Sequence, residues 1–281
     1  MPAFVDITAA SIPKQGNRSD ENEDAWAARS DPSRVQACVA DGATETVYAR
    51  LWARSLVQAF AEGGVAGAHL TDEAGAPHKR VSGTHASKHL HETVSSAREA
   101  WSEAVDAKAG TVPWYVEAKQ RQGAFATVLG LLLTHSAPGD LSSAEAGRFA
   151  AASVGDCGLF QYAAHERKAS TAPSEPKRVW PESDPDAFTN RPDLVSSRPG
   201  EKPAGNHASD SAGVVRTVDG TWQMGDAFVL ATDAVAAWLL REKPRLPASD
   251  AEADEQLREA QSSGRLRNDD STIVIFRTHP A

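Results

Sequence analysis

Arg34-Val35-Gln36-Ala37-Cys38-Val39-Ala40-Asp41-Gly42-Ala43-Thr44-Glu45 is a short apolar run that stops abruptly at Asp-Gly, with a helical pattern starting two residues later. Val35, Ala37 and Val39 alternate with Gln36, Cys38 and Ala40, which predicts a largely buried strand. Asp41 sits where that strand leaves the core, so its carboxylate projects from a rigid support. Gly42 permits the reversal into the helix and removes side-chain bulk beside the carboxylate. Asp-Gly is also a common turn dipeptide, and turn chemistry alone would account for it. Three other apolar runs in the chain, however, end or begin on aspartate.

The 281 residues are 41% hydrophobic and 24% charged, enough for a sizeable core in a chain of ordinary globular composition. A net charge of −9 argues against binding nucleic acid through phosphate contacts and is compatible with a site built from carboxylates. Met1 to Gly16 carries no basic segment followed by an apolar core, and no run approaches the roughly 20 apolar residues of a membrane span. Neither a signal peptide nor a membrane partner is expected. Cys38 and Cys157 lie in strand-like runs without CxxC spacing. They read as small buried hydrophobes in a reducing, cytoplasmic setting.

Along the chain, Phe4 to Ala9 predicts a first strand, and Asn22-Glu23-Asp24 places two acids directly before an apolar pair. Residues 43–62 predict a helix closed by Gly63 and Gly64, with Trp52, Leu56 and Phe60 inward and Arg50 and Arg54 outward. A second helix is predicted over 86–109 and a short one within Trp114 to Gln122. His85, His89 and His91 read as exposed residues of the second helix, because a zinc site would need further ligands. Ala124 to Thr134 predicts a central strand, 135–146 a loop, Phe149 to Val154 and Gly158 to Tyr162 strands about the Gly155-Asp156 turn. Residues 165–210 hold seven prolines and no periodicity, as expected of a surface insertion. Strands are predicted at 214–218 and 221–224 about an Asp219-Gly220 hairpin, then at 227–231 and 272–277. Helices are predicted at 234–241 and 249–264, the latter opening on the acidic run Asp250 to Glu255. The hairpins argue for antiparallel pairing and an α+β fold: a four-layer α/β/β/α sandwich of two mainly antiparallel sheets flanked by helices, in one domain over 1–281.

In that layout Asp41 ends one strand, Asp156 sits in a turn, Asp233 ends another strand and Asp269 precedes the last. Carboxylates gathered at one rim repel unless a cation neutralises them, and an all-oxygen set favours Mg²⁺ or Mn²⁺ over zinc. These residues resemble the motifs of the metal-dependent Ser/Thr protein phosphatases, the PPM or type 2C family. The matches run in the family's order: Asn22-Glu23-Asp24, Val39-Ala40-Asp41-Gly42, Val154-Gly155-Asp156, Gly225-Asp226 through Thr232-Asp233, and Asp269-Asp270-Ser271-Thr272.

The resemblance implies a two-metal centre holding Mn²⁺ or Mg²⁺, with Asp41 bridging the ions and the Gly42 carbonyl bound to one of them. Asp233 and Asp269 would complete the other shell, and Asp24 with Glu23 would hold water around it. Asp156 with Asp233 matches the acids that hold a third, weaker ion in some bacterial members. The implied activity is hydrolysis of phosphoserine or phosphothreonine on a phosphoprotein by a monomeric enzyme opposing a Ser/Thr kinase. Arg18 stands five residues before Glu23 instead of the family's four, and reads either as a phosphate ligand or as a solvated loop charge. Ala43 replaces the histidine that some members carry as a proton donor. A catalytically weak regulatory module and a small-molecule phosphohydrolase are the rival readings. The 165–210 insertion corresponds to the family's flap, or is a tolerated loop.

Overall fold

The computed structural model describes residues 5–31, 34–43, 48–63, 81–107, 123–135, 146–164, 175–188, 192–200 and 214–279. The opening stretch forms β3 (Arg34–Gly42), and its alternation decides where everything else packs. Val35, Ala37 and Val39 join a core with Leu129, Leu131, Phe149, Phe228 and Phe276. Cys38 and Ala40, on the opposite face, pack with Trp52, Leu56, Phe60, Leu90 and Trp101. A strand apolar on both faces must be covered on both.

Two antiparallel sheets supply that cover. The first runs β1 (Val5–Ile12), β11 (Ser271–Thr278), β10 (Ala227–Ala231), β6 (Gly158–Tyr162), β7 (Arg178–Trp180). The second runs β2 (Ala25–Asp31), β3, β4 (Phe125–His135), β5 (Gly147–Val154), β9 (Arg216–Trp222), with β8 (Val195–Ser196) pairing the start of β4. Helices α1 (Ala49–Glu62) and α2 (Gly83–Asp106) pack on the second sheet. Helices α3 (Asp233–Glu242) and α4 (Asp250–Ser262) pack on the first through Val235, Trp238, Leu239 and Leu257, which meet Val229, Ile273 and Ile275. The order is therefore α/β/β/α, with one apolar layer between the sheets and one under each helix pair.

Local chemistry explains the elements. Ser249 caps α4 by accepting from the Glu252 amide, and Asp250 and Glu252 lie in its first turn, where carboxylates oppose the helix dipole. Gly130 of β4 lies under Phe60, and a Cβ there would stand 2.1 Å from the ring. That glycine is what allows α1 to lie close on the sheet.

Four expectations change. Asp219-Gly220 is not a hairpin turn but the middle of the continuous strand β9, opposite Ala150 and Phe149 of β5. Asp219 Oδ2 accepts from the Gly83 amide at the start of α2 (2.8 Å), and Gly220 makes room for the Phe149 ring. Tertiary pairing thus overrides a strong local turn signal. His89 is buried, not exposed: it packs on the Phe60 ring, and its Nε2 lies 3.0 Å from the Phe60 carbonyl and 3.3 Å from Gln36 Nε2. The 165–210 insertion is not wholly at the surface, since Val195 and Ser196 are buried against β4. β1 runs three residues further than expected, because Ala10 to Ile12 continue the ladder with Ile273 to Ser271. The short helix expected at 114–122 lies outside the described residues.

Candidate metal centre

The carboxylates collect at the rim where β3, the β5–β6 turn, the end of β10 and the start of β11 emerge together. Asp41, paired with Thr127 in the ladder, is held by β3 at its last turn into the rim. Burial raises its carboxyl well above the usual range, and Asp24, Asp233, Asp156 and Asp269 each push it further. That list of neighbours is the clearest sign that segments far apart in sequence have converged. Gly42 follows where the chain passes Glu23 and Ala49: a Cβ would lie 3.0 Å from the carbonyl oxygen of one and the carbonyl carbon of the other.

Asp24 leaves the N-terminal loop just before β2. Its amide donates to Asn22 Oδ1 (2.9 Å) and its Oδ2 accepts from the Thr232 hydroxyl (2.9 Å). Burial raises its pKa well above normal, hydrogen bonds from Thr272 and Thr232 pull it down, and Asp270 and Asp233 push it up. Asp156 follows Gly155, whose φ of +93° makes the β5–β6 turn. Burial, and then Asp233, raise the Asp156 carboxyl to about 7. Asp233 opens α3, and burial raises it against the pull of Arg267.

Asp269 is half-exposed at the entry to β11 and accepts from Arg267 Nη2 at 3.2 Å; the same nitrogen donates to Asp233 Oδ2. Glu23 donates its amide to Asp270 Oδ2 (2.7 Å), while Asp270 Oδ1 takes the Lys14 amide (2.9 Å). Arg18 lies apart from this group. Its side chain is 75% exposed and bonded to Asp20 (3.1 Å), with Glu21 at 3.8 Å. Ala43 packs beside Phe125 and Leu194.

Asp24, Asp41, Asp156, Asp233 and Asp269 are thus within electrostatic reach of one another. Sequence reasoning missed the groups that hold them. Thr232 accepts the Thr272 amide (3.0 Å) while donating to Asp24, and Asp270 ties the N-terminal loop to β11. Both lie inside the quoted motifs, so a search for hydroxyls and acids beside each aspartate would have found them. Arg267, two residues before Asp269, gave no such signal.

The donor chemistry fits a hard divalent cation. The donors are all oxygen, and both Asp156 oxygens and Asp24 Oδ1 are buried without a hydrogen-bond partner among the described residues. In the arrangement seen, the described His, Cys, Asp and Glu residues form no group of three or more around a single ion position. Arg267 is the cation that neutralises Asp233 and Asp269.

This is the fold of the bacterial PPM-type serine/threonine phosphatases. The catalytic domain of the serine/threonine protein phosphatase PstP, solved in complex with two manganese ions, superposes with a TM-score of 0.54 at 15% identity, over 99% of this chain and 100% of that one. A bacterial serine phosphatase gives 0.56 at 11% identity, covering 99% of each chain. The serine/threonine phosphatase Stp1 of Staphylococcus aureus gives 0.56 at 12% identity, over 99% of this chain and 96% of its own. No protein-family model matches the sequence, and no curated protein aligns with it significantly.

Proposed function

We propose that the chain is a divalent-metal-dependent phosphatase acting on phosphoserine or phosphothreonine in proteins. The observation that carries this reading is the meeting of five aspartates from five separate segments at one rim, with three buried carboxylate oxygens lacking any partner among the described residues. Carboxylates gathered in that number, three of them buried, need cations or protons. The likeness of fold to phosphatases, one of them solved with two manganese ions, supports the same reading.

Asp41 and the Gly42 carbonyl would hold Mn²⁺ or Mg²⁺ from β3, Asp233 and Asp269 from α3 and the entry to β11, and Asp156 would contribute to a third ion. A divalent ion in such a site supplies Lewis acidity towards phosphoryl oxygens and activates water. Asp24, with Glu23 beside it, would orient water through carboxylate oxygens fixed by Thr232 and the Asp270 link. For metal to enter, Arg267 would have to release Asp233 and Asp269, and its guanidinium would then be available to a phosphate. Arg18 would reach a substrate phosphate only after leaving Asp20 and Glu21. Ala43 carries no proton, so the leaving group would take one from solvent or from another acid at the rim. A single catalytic domain, working as a cytoplasmic monomer opposite a Ser/Thr kinase, completes the proposal.

A catalytically weak regulatory module is the second reading, and Arg267 favours it, because an internal cation already occupies two of the acids. Phosphate release from phosphothreonine peptides decides between them. Turnover should appear with Mn²⁺, vanish with chelator, and fall by at least about a thousandfold in Asp41→Asn with the fold retained. Metal-loaded protein with no turnover on peptides or small phosphate esters would establish the regulatory reading, and turnover of small esters alone would establish a small-molecule phosphohydrolase.

A further inference from the structure

Beside the acid centre, between α1 and the N-terminal loop, lies a cavity of about 430 Å³ that none of the roles above uses. Arg50 and Arg54 reach it from successive turns of α1, and Ser11, Ser19, Asn22 and Trp26 complete most of its wall. Two arginines at i and i+4 share one helix face, so their guanidinium groups repel each other. Among the described residues neither forms an ion pair. Arg50 donates Nη1 to the Asp20 carbonyl, while its Nε is buried with no hydrogen-bond partner among the described residues. Burial, and then Arg50, hold the Arg54 guanidinium below its usual pKa. In a chain with a net charge of −9, two adjacent cations without a carboxylate partner are conspicuous.

Among the described residues Asp24 is the one acid in the wall, and its Oδ2 is engaged by Thr232. Among the described residues the remaining polar groups are donors or can act as donors: two guanidiniums, two hydroxyls and two amides, of which Asn22 donates to Ser11 and Gln58 to Glu62. Guanidinium pairs recognise phosphate and carboxylate groups through bidentate hydrogen bonds. We propose that this cavity is an anion subsite, in which Arg50 and Arg54 take a second phosphate or a carboxylate of the substrate while the scissile phosphoryl group lies at the aspartates. The shared Asp24 wall makes the two sites contiguous, so one phosphopeptide can fill both. The subsite would make the chain prefer phosphorylated residues with an acidic neighbour. The preference rests on the phosphatase reading; the binding of an anion does not.

The test has two arms. In the first, inorganic phosphate is titrated calorimetrically into the full chain with chelator present. Wild-type protein should bind, and Arg54→Ala and Arg50→Ala should each weaken binding by about tenfold, with Arg54→Lys in between. Circular dichroism checks that each variant folds. No binding to wild type, or equal binding by the folded variants, overturns the subsite. The second arm compares KM for Mn²⁺-dependent cleavage of phosphothreonine peptides bearing aspartate, phosphoserine or alanine next to the phosphothreonine. The acidic peptides should show the lower KM, and the difference should vanish in Arg54→Ala; equal KM values in wild type overturn the substrate preference. A protein that binds phosphate through Arg54 but cleaves nothing would retain the subsite and refute the phosphatase reading.

Discussion

Arg267 Nη2 donates to both Asp233 and Asp269, so one guanidinium bridges the start of α3 and the entry to β11. An internal cation on two would-be metal ligands competes with metal. Arg267→Ala should therefore tighten Mn²⁺ binding by about tenfold, since a partly buried charged hydrogen bond no longer has to be broken. The same change should lower the melting temperature in chelator, where Asp233 loses its cationic partner and keeps only the Ala234 amide among its hydrogen bonds to described residues. Calorimetric Mn²⁺ titration and melts with and without chelator check both, and unchanged affinity would mean that Arg267 does not stand in the ion's way.

The raised carboxyl of Asp156 gives the metal-free protein an unusual pH dependence. Below about pH 4 it is protonated folded and unfolded alike. Between about 4 and 7 the unfolded chain releases the proton while the folded chain keeps it, so stability falls as pH rises and the loss is complete above about 7. The displacement corresponds to up to about 4 kcal/mol. Urea denaturation in chelator should show this decline, and Mn²⁺ should remove most of it; stability that rises from pH 5 to 8 in chelator would contradict it.

Thr232 is a relay between three segments, accepting from the Thr272 amide and donating to Asp24. Thr232→Val keeps the shape and removes both bonds, leaving a buried amide and a buried carboxylate oxygen less satisfied. A loss of about 2–4 kcal/mol is expected by urea denaturation, with a smaller loss for Thr232→Ser. Equal stability of the valine variant would show that the relay contributes nothing.

Gly130→Ala probes the seat of α1 on the second sheet. The added methyl would fall on the Phe60 ring, where three ring carbons lie between 2.1 and 2.8 Å from the Cβ position. Overpacking of this kind costs about 1–3 kcal/mol or more. Phe60→Leu in the alanine background should recover part of that loss while being destabilising alone, and a double-mutant cycle measures the coupling.

Much of this was legible because hydrophobic alternation and strand-ending aspartates are local signals. Val35 to Gly42, Ala227 to Asp233 and the run after Asp269 declare strand, rim and turn within about ten residues each. What was not legible depended on partners elsewhere. Asp219-Gly220 carries a turn's chemistry but is flattened into β9 by β5 and the start of α2. His89 looked like one of three surface histidines until Phe60 and Gln36 closed over it. Within the candidate site, the aspartates could be picked out singly, whereas the hold of Arg267 on two of them required the folded rim.

β11 lies between β1 and β10, so the first strand of the chain bonds to the last, and Ser11 meets Thr272 across 261 positions. A ribosome adding about 5–20 residues per second needs roughly 10–50 s to cover that gap. Throughout that interval β1 has no ladder partner and its edge is open to other chains. The N-terminal loop bearing Glu23 and Asp24 likewise waits for Asp270 to fix it. A nascent chain stalled before Asp269 would therefore carry four of the five aspartates and still lack an assembled rim, so on the phosphatase reading no turnover would precede completion of the fold.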